Sequence, residues 1–379
     1  MSIVVLLVLF FSFSASSLRI KRPPVGVGGE VDLFADFVSF ARIAQNRIIS
    51  VLEEEEKQFV AETTGPDKGL LTNFGPNIFE RDDWERKSTD SSEIEAEGAT
   101  CVLQRGNIWE KAGVSTTFIS GTLSRQRAEA ISGRRGIADI EALVGTKYYA
   151  AALSLVLHSK SPMVPTFRSD IRFFELSDGS GWFGGGSDLT PYTLYEEDIC
   201  DYHRCVKANC DRHSSDFYPV MKKQCDEYFY LPARDEYRGT GGIFFDDLDS
   251  IPIGDEGVDE DSNSKKYMTN NSDKLAPVLD FVKDVCNSWM PSYLPIVRKR
   301  YRESYTRDQR HWQEIRRGRY IEFNMLYDRG VKFGLVPGGR TEAVLVSCPP
   351  KVAWDYNYQT SQEEQKLVDV LKNPRSWVD

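Results

Sequence analysis

The chain has 379 residues, of which 57 are acidic and 47 are lysine or arginine, giving a net charge of −10 at neutral pH. That acidic balance argues against a general nucleic-acid binder, which carries a basic excess. With 41% hydrophobic and 12% aromatic residues the chain can bury a large core, which excludes a disordered scaffold and leaves one large domain or two ordinary ones.

Residues 3 to 13 are almost purely apolar and are followed by the small residues Ser14, Ala15, Ser16 and Ser17. The pattern predicts a signal-peptide-like segment over residues 1–17, the alternative being an N-terminal strand or helix of the fold. It is shorter than the ~20 residues that cross a bilayer, and no later run is long and apolar enough, so no stable membrane span is expected. Leu18-Arg-Ile-Lys-Arg-Pro-Pro24 then opens a basic, Gly- and Pro-containing leader over residues 18–30, as a transit region begins. An export signal followed by a basic stretch resembles the two-part targeting sequences of algal secondary plastids. The expectation is passage through the secretory route to such a plastid, with a secreted, endomembrane-lumen or cytoplasmic location as the alternative.

From Val31 to Phe59, apolar residues at helical spacing (Val31, Phe34, Val38, Ala41, Ile48, Leu52) predict a long helix, with Glu53 to Glu56 as its solvated end. Asp82 to Gly98 is polar and reads as a loop. Runs rich in β-branched and aromatic residues predict strands at 100–104, 107–121, 166–176, 241–246, 319–327 and 341–348. Thr190-Pro191 offers an N-cap with proline at N1 for a helix reaching about His213. Thr306-x-x-Gln309 is a capping box for a helix stopped by Gly318. Residues 249–274 hold Asp255, Glu256, Asp259, Glu260 and Asp261 among Ser and Asn, and read as a disordered acidic insertion. Strands interleaved with long helices, without a regular strand–helix rhythm, predict an α+β fold with a mainly antiparallel sheet.

Seven cysteines form no C-x-x-C pair and are odd in number, so buried reduced thiols are expected. Cys200, Cys205 and Cys210 recur every five residues, a step of about 140° around a helix, and do not share a metal-binding face. Four histidines (His158, His203, His213, His311) show no ligand spacing, so no metal is expected. No phosphate-binding glycine loop or zinc-protease motif occurs. What remains is a set of glycine-flanked segments bearing Arg and Asp: Gly184 to Pro191, Arg238 to Gly242, and Asp328-Arg329-Gly330 with Gly338-Gly339-Arg340 bracketing a hairpin-like stretch. Singly each serves a turn; together they suggest a polyanion gripped by arginines.

Five blocks in order, Glu110-Lys-Ala-Gly-Val114, Trp182-Phe-Gly-Gly-Gly-Ser-Asp-Leu-Thr-Pro191, Arg238-Gly-Thr-Gly-Gly-Ile-Phe-Phe-Asp-Asp247, Arg316-Arg-Gly-Arg-Tyr-Ile-Glu-Phe-Asn324 and Tyr327-Asp-Arg-Gly-Val-Lys-Phe-Gly-Leu335, resemble the signatures of the oxygen-dependent coproporphyrinogen III oxidase family. The resemblance runs from about residue 33 to Val378 and implies one domain over residues 31–379. It implies a large antiparallel sheet flanked by helices on both faces, a homodimer, and oxidative decarboxylation of two propionates of coproporphyrinogen III to vinyl groups. Dioxygen is then the co-substrate, with no metal or organic cofactor. Matching motif positions place Asp188 and Asp328 at the pyrroles. Arg172, Arg238, Arg329 and Arg340 become candidates for propionate binding, with Ser154 offering a hydroxyl and Gly338 and Gly339 backbone amides.

Where the family's strand reads approximately Pro-Thr-x-His-x-Asn-x-Arg, this chain has Pro165-Thr-Phe-Arg-Ser-Asp-Ile-Arg172. Arg168 thus stands in place of the histidine and Asp170 in place of the amide. In a strand, residues 168, 170 and 172 share a face, so all three are expected in the site. An arginine holds its proton near neutrality and can bind a carboxylate but not act as a general acid. Ala233 and Ser115 also depart from the family pattern. These substitutions leave two readings open beside an active oxidase: a paralogue that binds tetrapyrrole without turnover, and a dimerisation partner of an active one.

Overall fold

The computed structural model describes residues 32–63, 77–87, 94–251, 271–335 and 340–378. Both leader segments and residues 252–270 of the acidic insertion lie outside them, as do Gly338 and Gly339. The chain opens with helix α1 (Leu33–Glu62) and runs through strands β1 (Glu80–Arg86), β2 (Glu95–Gln104) and β3 (Trp109–Thr122). Two short helices, α2 (Arg125–Arg135) and α3 (Ile140–Leu143), precede β4 (Lys147–Ser159), β5 (Thr166–Leu176) and β6 (Gly181–Thr190). Helices α4 (Glu196–Asp211) and α5 (Phe217–Tyr228) and the ribbon β7 (Tyr230–Leu231) and β8 (Glu236–Tyr237) lead to β9 (Gly241–Leu248). Helices α6 (Asn271–Arg300), α7 (Arg307–Leu326), α8 (Arg329–Gly334), α9 (Thr341–Leu345) and α10 (Gln362–Lys372) complete it.

Seven strands form one sheet in the order β1-β2-β3-β4-β5-β6-β9, every neighbour antiparallel. The alternation of β5 decides what each face does. Phe167, Ile171 and Phe173 are buried on one side, where Phe173 meets Phe34 and Phe37 of α1 and Phe167 stacks on Tyr293 of α6 at 4.9 Å. Arg168, Asp170 and Arg172 therefore point to the other side. Helices α7 and α9 cover part of that second face. Lys111 Nζ donates to the carbonyls of Leu345 (2.9 Å) and Cys348 (3.0 Å), and His158 Nε2 meets that of Ser347 at 3.0 Å. The expected α+β fold, with helices on both faces of an antiparallel sheet, is what forms.

Helix α1 carries its buried residues at three- and four-residue spacing, as predicted, and Asp32 caps it by accepting from Ala35 N. Its acidic run is not a solvated end. Glu56 is fully buried and accepts from the backbone N–H groups of Asn107, Ile108 and Trp109 at 2.8–3.0 Å, closing the β2–β3 turn. The polar loop expected at 82–98 contains most of β1, whose charged side chains suit an exposed edge strand, and the start of β2. The helix expected from Thr190-Pro191 starts later, at Glu196, because Thr190 is the last residue of β6.

Two of the six expected strands are helical. The capping box at Thr306 and Gln309 is present, but α7 runs through Gly318 to Leu326, so 319–327 is not a strand. Its buried residues Trp312, Ile315, Arg316, Tyr320 and Phe323 follow the helical period despite the β-branched and aromatic composition. Gly318 marks a close approach instead of a stop, since a Cβ there would lie 2.7 Å from the carbonyl of Ala353. Residues 341–345 form α9, and α8 begins at Arg329, so the bracketed segment is no hairpin among the described residues. The insertion is shorter than expected at its end, because residues 271–274 already belong to α6.

Candidate active site

The sheet's second face floors a cleft of about 430 Å³, within the range of small-molecule sites. Register places its residues in rows. Arg168 pairs with Asp188, Asp170 with Gly186 and Ser154, and Arg172 with Gly184. Gly184 is needed there, because a Cβ would sit 2.5 Å from Arg172 Nε and displace the guanidinium that lies across the strand. Ser154, Arg168, Asp170, Arg172, Asp188, Asp328 and Arg329 all line this one cleft, brought from β4, β5, β6 and the start of α8.

Asp188 and Arg238 form the most enclosed pair. One terminal nitrogen of Arg238 donates to both carboxylate oxygens at 2.8 Å, and the other donates to Asn324 Oδ1 at 3.2 Å. The Arg238 side chain is 0% exposed, with its guanidinium 3.9, 4.7 and 4.9 Å from the ring centres of Phe229, Tyr320 and Phe323. Removing either partner strands a buried charge, which costs roughly 3–5 kcal/mol. The resemblance places Arg238 on a propionate; here it is enclosed against α7 on the same side of the sheet, outside the cleft lining, and holds Asp188.

Asp328 joins two tasks. Its Oδ1 caps α8 by accepting from Val331 N at 2.8 Å, and its Oδ2 accepts from Arg168 Nη1 at 3.1 Å. Burial pushes its pKa up, but the charge of Arg168, the Val331 N–H bond and the charge of Arg238 outweigh burial and hold it below the usual carboxylate range. Burial opposes the charge on Arg168, but Asp328, with smaller contributions from Asp170 and Asp188, raises its pKa overall. Both partners therefore stay charged near neutrality. Arg172 is shared between Asp170 and Asp246, and Arg329 donates to Asp246 at 3.2 Å.

Arg340 lies apart from this cleft. It pairs with Asp82, stacks 4.7 Å over Trp84 and reaches Thr100 Oγ1 at 3.4 Å, at the β1–β2 end of the sheet. Several cleft residues are not among the site candidates read from the sequence. Asp246 and Phe244 follow from the alternation of β9, once Gly242 is known to face Asp188. Tyr228, stacked on Phe244 at 4.3 Å, and Arg134, on α2, lie in no block that marks them. Among the described residues no group of three or more His, Cys, Asp or Glu could hold a metal ion. His158 and His203 are buried among hydrogen-bond partners, and all seven cysteines are unpaired thiols.

The site is thus a cleft floored by an antiparallel sheet, in which arginines and aspartates face one another. The chain belongs to the coproporphyrinogen III oxidase family, whose model matches residues 37–377. It is 41% identical over 323 residues to the mitochondrial oxygen-dependent coproporphyrinogen-III oxidase of Mus musculus, covering 82% of this chain and 65% of the relative. It is 40% identical to the chloroplastic coproporphyrinogen-III oxidase 1 of Arabidopsis thaliana, covering 80% and 73%. It is 39% identical to the oxygen-dependent coproporphyrinogen-III oxidase of Francisella tularensis, covering 79% and 89%. The chain spans 65% of the mouse relative and 61% of the human one, less than two thirds of each.

Proposed function

We propose that this chain catalyses the dioxygen-dependent decarboxylation of two propionates of coproporphyrinogen III to vinyl groups, giving protoporphyrinogen IX in haem and chlorophyll synthesis. For each side chain, R–CH2–CH2–COOH and O2 become R–CH=CH2, CO2 and H2O2, so dioxygen takes the two electrons and no other oxidant or resident cofactor is required. The observation that carries this reading is Asp188, a carboxylate fixed by a buried arginine at the floor of an arginine-lined cleft in a chain of this family. Asp188 is the group that accepts a pyrrole N–H proton, making the ring electron-rich enough to react with oxygen before CO2 leaves. Asp328 stands at a second pyrrole, and Arg172 and Arg329 hold propionates. The test is aerobic incubation with freshly reduced coproporphyrinogen III. Protoporphyrin or a three-propionate intermediate above an enzyme-free control supports the reading, and coproporphyrin alone sinks it.

A paralogue that binds tetrapyrrole without turnover is the second reading, favoured by one observation: Arg168 occupies the histidine position and already bonds Asp328. On that reading Arg168→His releases Asp328, supplies a titrating ring and raises turnover. On the first reading the variant gains nothing.

Residues 1–17 and 18–30 act as a two-part leader for one catalytic domain over 31–379, directed to a plastid. The chloroplastic and mitochondrial names of relatives support an organellar destination. Homodimerisation follows from the family resemblance, and sedimentation of the full chain checks it.

A further inference from the structure

Three guanidinium groups converge on a single carboxylate at the rim of the cleft. Asp246, on the cleft face of β9, accepts from Arg329 Nη2 at 3.2 Å and lies 3.5 Å from both Arg134 Nη1 and Arg172 Nη2, while Arg134 also stands 3.6 Å from Asp247 and Arg172 bonds Asp170 more closely. The three arginines come from α8, α2 and β5, and all four residues line the cleft.

The contrast with the floor is physical. There, Arg238 is 0% exposed and meets both oxygens of Asp188 at 2.8 Å. At the rim the contacts are long, and the side chains of Arg134 and Arg329 are 40% and 55% exposed. Ion pairs of that kind contribute little and exchange partners readily. The cations nevertheless keep their positions without Asp246. Arg329 lies over the Tyr228 ring at 5.1 Å and Arg172 over Phe244 at 5.6 Å. The end of α2 is fastened by Arg135, which stacks on Trp182 at 4.5 Å and donates to the carbonyl of Asp247 at 3.1 Å. Arg134 is thus held over the cleft by its neighbour while its own contacts remain loose.

We infer that this cluster is a carboxylate-exchange site. In the resting protein Asp246 is the counter-ion; when ligand binds, an ionised carboxylate of the ligand takes its place as acceptor for Arg134 and Arg329. One carboxylate replaces another, so the count of charged hydrogen bonds is kept and opening the site is inexpensive. A neutral ester or amide cannot make the exchange, because it supplies Arg329 with no counter-charge and leaves Arg134 only Asp247, 3.6 Å away. Arg134 is then a ligand-binding residue that selects ionised side arms. The identity of the ligand rests on the tetrapyrrole reading above; the exchange chemistry requires only a carboxylate.

The test uses the full chain with three probes: coproporphyrin III, its tetramethyl ester, and benzene-1,2,4,5-tetracarboxylate. Affinities are read by porphyrin fluorescence and by calorimetry. Arg134→Ala should weaken both tetracarboxylates about tenfold, the value of one charged hydrogen bond, and leave the ester unchanged. Arg134→Lys should recover part of the loss. Asp246→Asn should tighten the tetracarboxylates several-fold by removing the internal competitor. Affinities in Arg134→Ala within about twofold of the parent, or weaker binding in Asp246→Asn, overturn the inference. Arg134-dependent binding of the benzene tetracarboxylate without binding of coproporphyrin keeps the exchange site and overturns the tetrapyrrole reading. Coproporphyrin binding indifferent to Arg134 does the reverse.

Discussion

Asp188 and Asp328 face one cleft with different partners, and the difference sets what each can do. Asp328 is paired to Arg168 inside the cleft. In Arg168→Leu, burial would remain while the opposing charge is gone, so the pKa of Asp328 rises. Any step that needs its carboxylate then has its acid limb moved to higher pH, which a pH profile of kcat/KM reads directly. Because the folded pKa of Asp328 is depressed, its pairing adds stability above the unfolded value near 3.9, and that stability is lost as pH falls through the folded value. The same variant, leaving a buried carboxylate unpaired, should lose about 3 kcal/mol at neutral pH. Two buried histidines act over a higher window. Burial, with charges from Arg317 for His158 and Lys222 for His203, pushes both rings down, His203 to about 3. His203 accepts from Tyr218 OH at 2.9 Å through Nδ1 and faces the Thr240 carbonyl at 3.2 Å through Nε2, an arrangement that suits the neutral ring. Below about pH 6.5 the unfolded chain binds protons these rings refuse, so stability should fall by roughly 1.4 kcal/mol per pH unit for each. Urea titrations between pH 7 and 4 check this, and His203→Gln should flatten the slope by one ring's share.

At the scale of elements, β6 is the clearest case of local chemistry overridden by pairing. Gly184-Gly-Gly-Ser-Asp-Leu-Thr-Pro191 has the residues of a turn and cap, yet hydrogen bonding to β5 and β9 on either side makes it a central strand buried along its whole length. The glycine at 184 serves the arginine beside it. In Gly184→Ala the obstacle is the Nε of a flexible side chain, so the strand should stay intact and the guanidinium should move. The expected result is a melting temperature within about 3 °C of the parent, since the strain falls at the low end of overpacking costs, with a several-fold rise in KM. A large drop in melting temperature with unchanged KM would contradict that account. Helix α7 failed the sequence reading for the opposite reason. Its second half is rich in residues that favour strands, but the capping box at Thr306 starts a helix whose apolar and arginine stripe packs across the sheet end.

For the whole molecule, a net charge of −10 coexists with a cleft holding Arg134, Arg168, Arg172 and Arg329. The lining also holds Asp170, Asp188, Asp246 and Asp328, so the protein's field repels the proposed tetracarboxylate at long range, and short-range attraction comes from the individual exposed guanidiniums of the rim. Salt screens the exposed rim arginines, with a Debye length of about 10 Å at 0.1 M. Raising ionic strength from about 0.02 to 0.5 M should therefore increase KM several-fold while kcat changes little, and initial rates at both salts measure it. A KM that is flat or falls with salt would mean that screened long-range repulsion outweighs the rim.

The amino-acid sequence alone determined that the chain folds around a large core and that its sheet is antiparallel with helices on both faces, and it pointed to arginine and aspartate as the residues of the candidate site. Those properties live in composition, in strand alternation such as that of residues 166–176, and in five blocks long enough to carry a family resemblance. The tertiary structure decided which of those side chains meet. Arg340 belongs to a glycine-flanked block like the others but ends on Asp82, whereas Arg134, in no block, reaches the rim. Arg238 looks like a ligand grip and is enclosed against α7 with Asp188. Local sequence sets which face of a strand or helix a residue occupies, through periods of 2 and 3.6. Which faces are then brought together depends on strand order and helix packing between residues far apart in the chain, and no local pattern encodes that.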